Sequence, residues 1–266
     1  MLIHLCLCAL ALLGMSGLVF GLGISPWFYF ATPVLYAGLS AVYLLILLCI
    51  SLFLPKRPKG KSIPFCRAVL FRSLRWFLVL FHTKVVIKGE EMLPKEPFVL
   101  ISNHRSNLDP IVTFAAFPKR KLSFVSKIEN MKIPVAGPFI AASGFLGIER
   151  SKPKQSVRVI EEAADMVKND GFDFGIYPEG TRSKTTRLLP FKRGAFVMAQ
   201  RAEAPIVVML TEGTRDMRFL SLKKRTVRLS VLTVIPKEEV LATDSGALAE
   251  KTRQMFLQTG IFDKEN

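Results

Sequence analysis

Met1 to Pro55 contain no Lys, Arg, Asp or Glu, although the whole chain of 266 residues carries a formal net charge of +16. All of that charge therefore lies beyond the first fifth of the chain. An uncharged apolar stretch followed by a basic body describes a membrane segment joined to a water-facing domain.

The apolar stretch reads as two segments. Residues 1–24 and 34–54 are each long enough to cross a hydrocarbon core of about 30 Å at about 1.5 Å per residue. Between them "SPWFYFATP" places a Trp and a Tyr between two prolines, which combines turn chemistry with residues that favour the membrane interface. Gly14, Gly17, Gly21 and Gly23 suit close helix packing in lipid. No positive region precedes the first segment, so a helical hairpin is expected over residues 1–54 rather than a cleaved signal peptide. The hairpin either spans the bilayer or enters it from one face. "PKRPKGK" follows, and the positive-inside tendency keeps that flank cytoplasmic. Residues 65–82, "FCRAVLFRSLRWFLVLFH", fit an interfacial helix with Arg67, Arg72 and Arg75 near anionic headgroups, or an ordinary core helix. Residues 55–82 are thus a basic linker with that helix.

From residue 83 to 266 short β-type runs alternate with helical patterns. The candidate strands are "KVVIK", "PFVLIS", "LSFVSK", "FLGIER", "FDFGIY", "PIVVMLT" and "TVRLSVLTVI". Val157, Ile160, Ala164 and Val167 recur at helical spacing over Gln155–Asn169, with Gly171 as the stop. Further helices are expected from about Gly194 and over Ser245–Gln258. The pattern predicts an α/β domain, a mixed and largely buried sheet flanked by helices.

The chemistry concentrates where strands end. "NHRSNLDP" follows "PFVLIS" and sets His104 and Asp109 five residues apart. Asp109–Pro110 is also an ordinary helix start, with Asp as N-cap and Pro at the first helical position. On a continuous helix the pair would lie about 140° apart at 3.6 residues per turn. At a strand–turn–helix junction Asp109 can fold back and orient the imidazole, which then acts as a general base toward a hydroxyl. Capping and catalysis are compatible there.

"YPEGTRS" follows "FDFGI" in the same way. Gly180 permits a tight turn, Thr181 and nearby amides can donate to phosphate oxygens, and Arg182 offers a forked cation. Glu179 either holds the loop or contacts a substrate hydroxyl. Lys127 and Arg150 end two more strands, and in a parallel sheet strand C-termini converge on one crevice. Each motif alone also fits a solvated surface turn; their shared position favours one site. The stretch Gly213–Leu229, with Lys223, Lys224 and Arg225, reads as an ordinary charged turn rather than a headgroup contact.

Taken together, "NHRSNLD", "GFLGIER", "YPEGTRS" with "FKRG", and "APIVV" resemble, in order, the blocks of the glycerolipid acyltransferases, specifically the 1-acyl-sn-glycerol-3-phosphate (lysophosphatidic acid) acyltransferases. The resemblance covers about residues 83–215. Glu149 stands where that family often has Asp, and Val208 where it often has Pro. The resemblance implies a glycerol-3-phosphate acyltransferase-like fold and His104 as general base with Asp109 as its partner. It also implies an acceptor-binding loop of Glu179, Gly180, Thr181 and Arg182, with Arg150 and Lys127 on the acceptor phosphate. No metal or bound cofactor is implied. The co-substrate would be an acyl-coenzyme A or acyl carrier protein thioester, and the acceptor lysophosphatidic acid at a cell membrane, with the domain on its cytoplasmic face. Another acceptor (glycerol 3-phosphate, another lysophospholipid or a lyso-aminolipid) and a non-catalytic membrane-binding module are the alternatives. Nucleic acid is not expected as a partner, because the cations are spread and no nucleic-acid motif occurs.

Overall fold

The computed structural model describes residues 12–13, 32–54, 62–149, 151–219 and 221–262. Nearly all of the first apolar segment, the "PKRPKGK" flank and Arg150 lie outside these residues. The second apolar segment forms α1 (Thr32–Phe53), of which Pro33–Phe53 is 21 residues with mean hydropathy 2.3. That is long and apolar enough to cross a membrane. Pro64 opens α2 (Pro64–Leu80), where its missing N–H costs nothing at a helix start.

All seven expected strands are present: β1 (Thr83–Lys88), β2 (Val99–Ser102), β3 (Leu122–Lys127), β4 (Leu146–Ile148), β5 (Asp173–Ile176), β6 (Ile206–Glu212) and β7 (Arg225–Ile235). They form one sheet in the order β1-β7-β6-β2-β5-β3-β4. Pairings from β6 through β4 are parallel; β7 runs antiparallel to β6, and β1 lies parallel to β7 at the edge. The sheet is therefore mixed, as expected, because β6 and β7 are joined without an intervening α-helix and pair antiparallel.

The intervening helices are α3 (Asp109–Ala116), α4 (Ala136–Ala142), α5 (Pro153–Asp170), α6 (Gly194–Ala202), α7 (Lys237–Ala242) and α8 (Ser245–Leu257). Helix α5 stops at Gly171, whose φ of 69° is the left-handed cap that glycine adopts without steric cost. Asp244 caps α8 by accepting the N–H of Gly246 at 2.7 Å. Period-two alternation divides the core between the two sheet faces. Val99, Ile101, Ile206 and Val208 pack with α5, α6 and α8, whereas Leu100, Val207 and Met209 pack with α2 and α3.

One arginine of α2 departs from the interfacial expectation. Arg67 turns inward, donates to the carbonyls of Leu122 at 2.7 Å and Arg120 at 3.0 Å, and lies over the Phe114 ring. Burial lowers its pKa to about 10, with the Asp173 charge acting the other way, so it stays protonated at neutral pH. Arg72 and Arg75 remain exposed. Beside Arg67, Arg120 grips Asp173 through two bonds of 2.6 and 2.7 Å. This charge cluster sits at the N-terminal end of β3 and β5, the opposite sheet edge from the motifs, and ties α2 to the domain. Arg67→Met is expected to lower the unfolding midpoint by several degrees, read by thermal unfolding in detergent. An unchanged midpoint would mean that these carbonyl contacts contribute nothing.

Candidate active site

Because β6, β2, β5, β3 and β4 are parallel, their C-terminal ends open onto one edge, and the motifs stand there. After β2, Asn103 is buried and brackets the backbone of Thr211 at the end of β6. Its amide donates to the Thr211 carbonyl at 3.0 Å and its oxygen accepts the Thr211 N–H at 2.8 Å. This pins the chain just before His104.

His104 Nδ1 lies 2.9 Å from Asp109 Oδ2. Asp109 does not cap its helix in the ordinary downstream sense. The same Oδ2 accepts the N–H groups of Arg105 and Ser106, both at 2.8 Å, so the carboxylate bends back over the turn. Asp109 is the first helical residue and Pro110 the second, one position later than the capping pattern suggests. The other oxygen, Oδ1, accepts the Thr214 hydroxyl at 2.5 Å. With four donors on a buried carboxylate, its position is over-determined.

Thr214 follows β6 and was not among the candidate residues. Its signal is the strand-end rule applied to "PIVVMLTEGT", since β6 is parallel to β2 and ends beside it. Thr214→Val would strip the donor from a buried carboxylate oxygen. The expected cost is about 1–3 kcal/mol of stability, with turnover falling about tenfold and Thr214→Ser restoring both. Thermal unfolding and kcat check this, and an unperturbed valine variant would remove Thr214 from the site.

Glu179 is 3% exposed, and both carboxylate oxygens are engaged by backbone. Oε1 accepts the His104 N–H at 2.6 Å and Oε2 the Leu189 N–H at 3.1 Å. The Ser183 N–H in turn donates to the His104 carbonyl at 2.8 Å. The two motifs are thus stitched together through His104 itself. Burial pushes the Glu179 carboxyl up to about 7. The two N–H groups oppose this, the Asp109 charge adds to it, and Arg105 opposes it.

A carboxyl raised in the fold favours the protonated native state. Between about pH 4.5 and 7 the unfolded chain has released this proton and the folded chain has not, so stability falls as pH rises through that window. The shift corresponds to about 3 kcal/mol. Glu179→Gln removes the titration but turns an amide N–H toward one of the two donors. It is expected to flatten the pH dependence of unfolding between pH 4.5 and 7 and to reduce turnover. Parallel wild-type and variant curves over that window would show that Glu179 does not titrate there.

The imidazole of His104 stacks on Tyr177, with ring centroids 4.3 Å apart and planes 20° from parallel. Tyr177 in turn stacks on Phe124. Burial first, then the Asp109 charge, hold the Tyr177 phenol well above its ordinary pKa, so it is a neutral wall behind the histidine. Gly180 has φ of 67°, and a Cβ there would lie 2.9 Å from Lys192 Nζ. The positive φ is what requires glycine at this turn, and the flexible side chain of Lys192 in "FKRG" crosses over it. Thr181 and Arg182 are exposed. Lys127 is exposed at the end of β3, 3.5 Å from Glu129. His104, Asp109 and Glu179 are therefore brought together, Gly180–Arg182 form the adjoining loop, and Lys127 stands apart on a strand two positions from β2.

With Nδ1 engaged by a carboxylate, the neutral imidazole keeps a lone pair on Nε2. The arrangement can accept a proton from a hydroxyl and stabilise the resulting imidazolium.

Residues 84–224, more than half of the chain, match the family model described as Acyltransferase. The chain belongs to that acyltransferase family. A Saccharomyces cerevisiae protein named 1-acyl-sn-glycerol-3-phosphate acyltransferase is 32% identical over 180 residues, covering 66% of this chain and 59% of the relative. A Homo sapiens protein, 1-acyl-sn-glycerol-3-phosphate acyltransferase alpha, is 30% identical over 184 residues, covering 67% and 64%. The chain thus spans about three fifths of the length of these relatives. The crystal structure of the 1-acyl-sn-glycerophosphate (LPA) acyltransferase PlsC from Thermotoga maritima shares the fold. Its TM-score is 0.57 at 22% identity, over 88% of this chain and 93% of that one.

Proposed function

We propose that the protein transfers a fatty acyl group from a thioester to the free sn-2 hydroxyl of lysophosphatidic acid, giving phosphatidic acid. The observation that carries this reading is the 2.9 Å contact between His104 Nδ1 and Asp109 Oδ2, which leaves Nε2 to act as base. The names of the relatives supply the acceptor.

In this reading His104 Nε2 takes the proton of the acceptor hydroxyl as its oxygen attacks the thioester carbonyl. The carbon–oxygen bond forms, the carbon–sulfur bond breaks, and the proton passes from the imidazolium to the departing thiolate. Asp109 holds the ring in the Nδ1–H tautomer and balances the transient charge. The acyl group goes directly to the acceptor without a covalent enzyme intermediate. Thr181, Arg182, Lys127 and Arg150 receive the acceptor phosphate, by the motifs they occupy. Glu179 acts by holding the His104 backbone, since both of its oxygens already have partners. The donor is an acyl-coenzyme A or an acyl carrier protein thioester. Residues 1–54 anchor the domain at the cytoplasmic face of the cell membrane, and 55–82 link the two.

The test is transfer from radiolabelled acyl thioesters of both kinds to a panel of lysophosphatidic acid, glycerol 3-phosphate and other lysophospholipids, using the full chain in detergent. Labelled phosphatidic acid is the expected product. Labelling of another acceptor with none of lysophosphatidic acid would overturn the acceptor and keep the reaction class.

A further inference from the structure

The connection between β6 and β7 presents a surface that the site does not use. Leu222 is 96% exposed and Phe219 59% exposed. Single exposed apolar residues are common and mean little by themselves; the surroundings of this pair are what distinguish it.

The turn is fixed against the C-terminal end of α2. The Phe219 ring packs edge-on against Phe81 with centroids 5.6 Å apart, and Phe81 packs on Phe77 at 4.3 Å. His82 Nδ1 lies 3.3 Å from the Ser221 carbonyl, and the Arg225 N–H donates to the His82 carbonyl at 2.9 Å. Helix α2 itself turns an unpartnered stripe outward. Phe65, Arg72 and Val79 are exposed and recur every seven residues, which places them on one face at about 3.6 residues per turn. Arg75 flanks that stripe, and Arg218, Lys223 and Lys224 stand on the turn. All five cations are exposed, and none of them forms an ion pair among the described residues.

Apolar side chains interleaved with unpaired cations, at the end of a helix whose start packs against the bilayer-length α1, are complementary to an anionic lipid surface. We propose that the β6–β7 turn docks on the anionic surface of the bilayer that α1 enters, through Phe219, Leu222, Lys223 and Lys224, as a second contact at the far end of α2. The 17 residues of α2 separate its ends by about 26 Å. Leu47 of α1 packs with Cys66 at the start of α2 and Phe139 of α4, and a second contact at that separation fixes the tilt of the domain. The turn is continuous with Thr214, which holds Asp109, so the fixed tilt is set by the segment that braces the dyad. Docked in this way, the loop is a lipid contact rather than an ordinary charged turn.

The proposal rests on the membrane placement of α1 and not on the reaction assigned above. Its test places a tryptophan at the tip, Leu222→Trp, in the full chain. The protein is reconstituted in phosphatidylcholine vesicles with or without phosphatidylglycerol, and the emission of Trp27 and Trp76 is subtracted using the parent protein. In anionic vesicles the added emission is expected to shift to shorter wavelength and to be quenched by brominated lipid. Reversing both lysines (K223E, K224E) should abolish most of that quenching, since each cation near such a surface contributes about fivefold to binding. Emission typical of water-exposed indole in vesicles that retain the protein would overturn the proposal. Release of the protein by an alkaline wash would overturn the placement of α1, and the docking of the turn with it. Neither readout uses acyl transfer, so failure of the proposed reaction is seen separately.

Discussion

Replacing His104 with alanine is expected to lower acyl transfer by about 10²–10⁴, the range that a positioned general base supplies. The variant should still fold. Asp109 keeps the N–H groups of Arg105 and Ser106 and the Thr214 hydroxyl, and Glu179 keeps the N–H of residue 104, because that bond is made by backbone. What the substitution removes is the Nδ1 contact and the ring stacked on Tyr177. Stability should therefore drop modestly while kcat collapses and KM for the acceptor stays close to that of the parent. The assay is initial-rate transfer at saturating donor, alongside thermal unfolding in the same detergent. Turnover near that of the parent would mean that the imidazole does not move the proton, whatever else lines the crevice.

The sequence disclosed this site unevenly, and the reasons are physical. Strand-type runs and the residues directly after them are local signals, so His104, Asp109 and the Glu179–Arg182 loop could be assigned to strand ends before any strand was paired. The side-chain partners of those residues are not local. Thr214 reaches Asp109 across 105 positions, and Asn103 reaches Thr211 across 108. No spacing rule connects such residues until β6 is known to run parallel to β2. Glu179 was open between holding the loop and touching substrate, because a carboxylate after a strand suits either. Burial with two backbone donors favours the first. Arg67 shows the same limit from the other side. In an apolar helix with three arginines, periodicity separates the outward pair from the inward one only once the neighbouring element is placed, and the carbonyls at the start of β3 take it inward.

Asp109→Asn separates the charge of the dyad from its geometry. An asparagine whose carbonyl oxygen takes the place of Oδ2 can still accept from His104 Nδ1 and from the N–H groups of Arg105 and Ser106. Its amide then faces Thr214, whose hydroxyl can rotate from donor to acceptor. Every buried polar group keeps a partner, so unfolding is expected to shift by little. The negative charge that balances the imidazolium is gone, and turnover is expected to fall about 10³–10⁴, the scale seen when a catalytic histidine loses its carboxylate partner. Asp109→Ala would lose both, leaving the backbone N–H groups of Arg105 and Ser106, the Nδ1–H of His104 and the Thr214 hydroxyl without an acceptor, and should unfold earlier as well as react more slowly. The comparison decides what Asp109 is for. If the asparagine variant keeps most of its activity, the carboxylate serves only to hold the turn; if it is as stable as the parent and nearly inactive, its charge acts on the reaction.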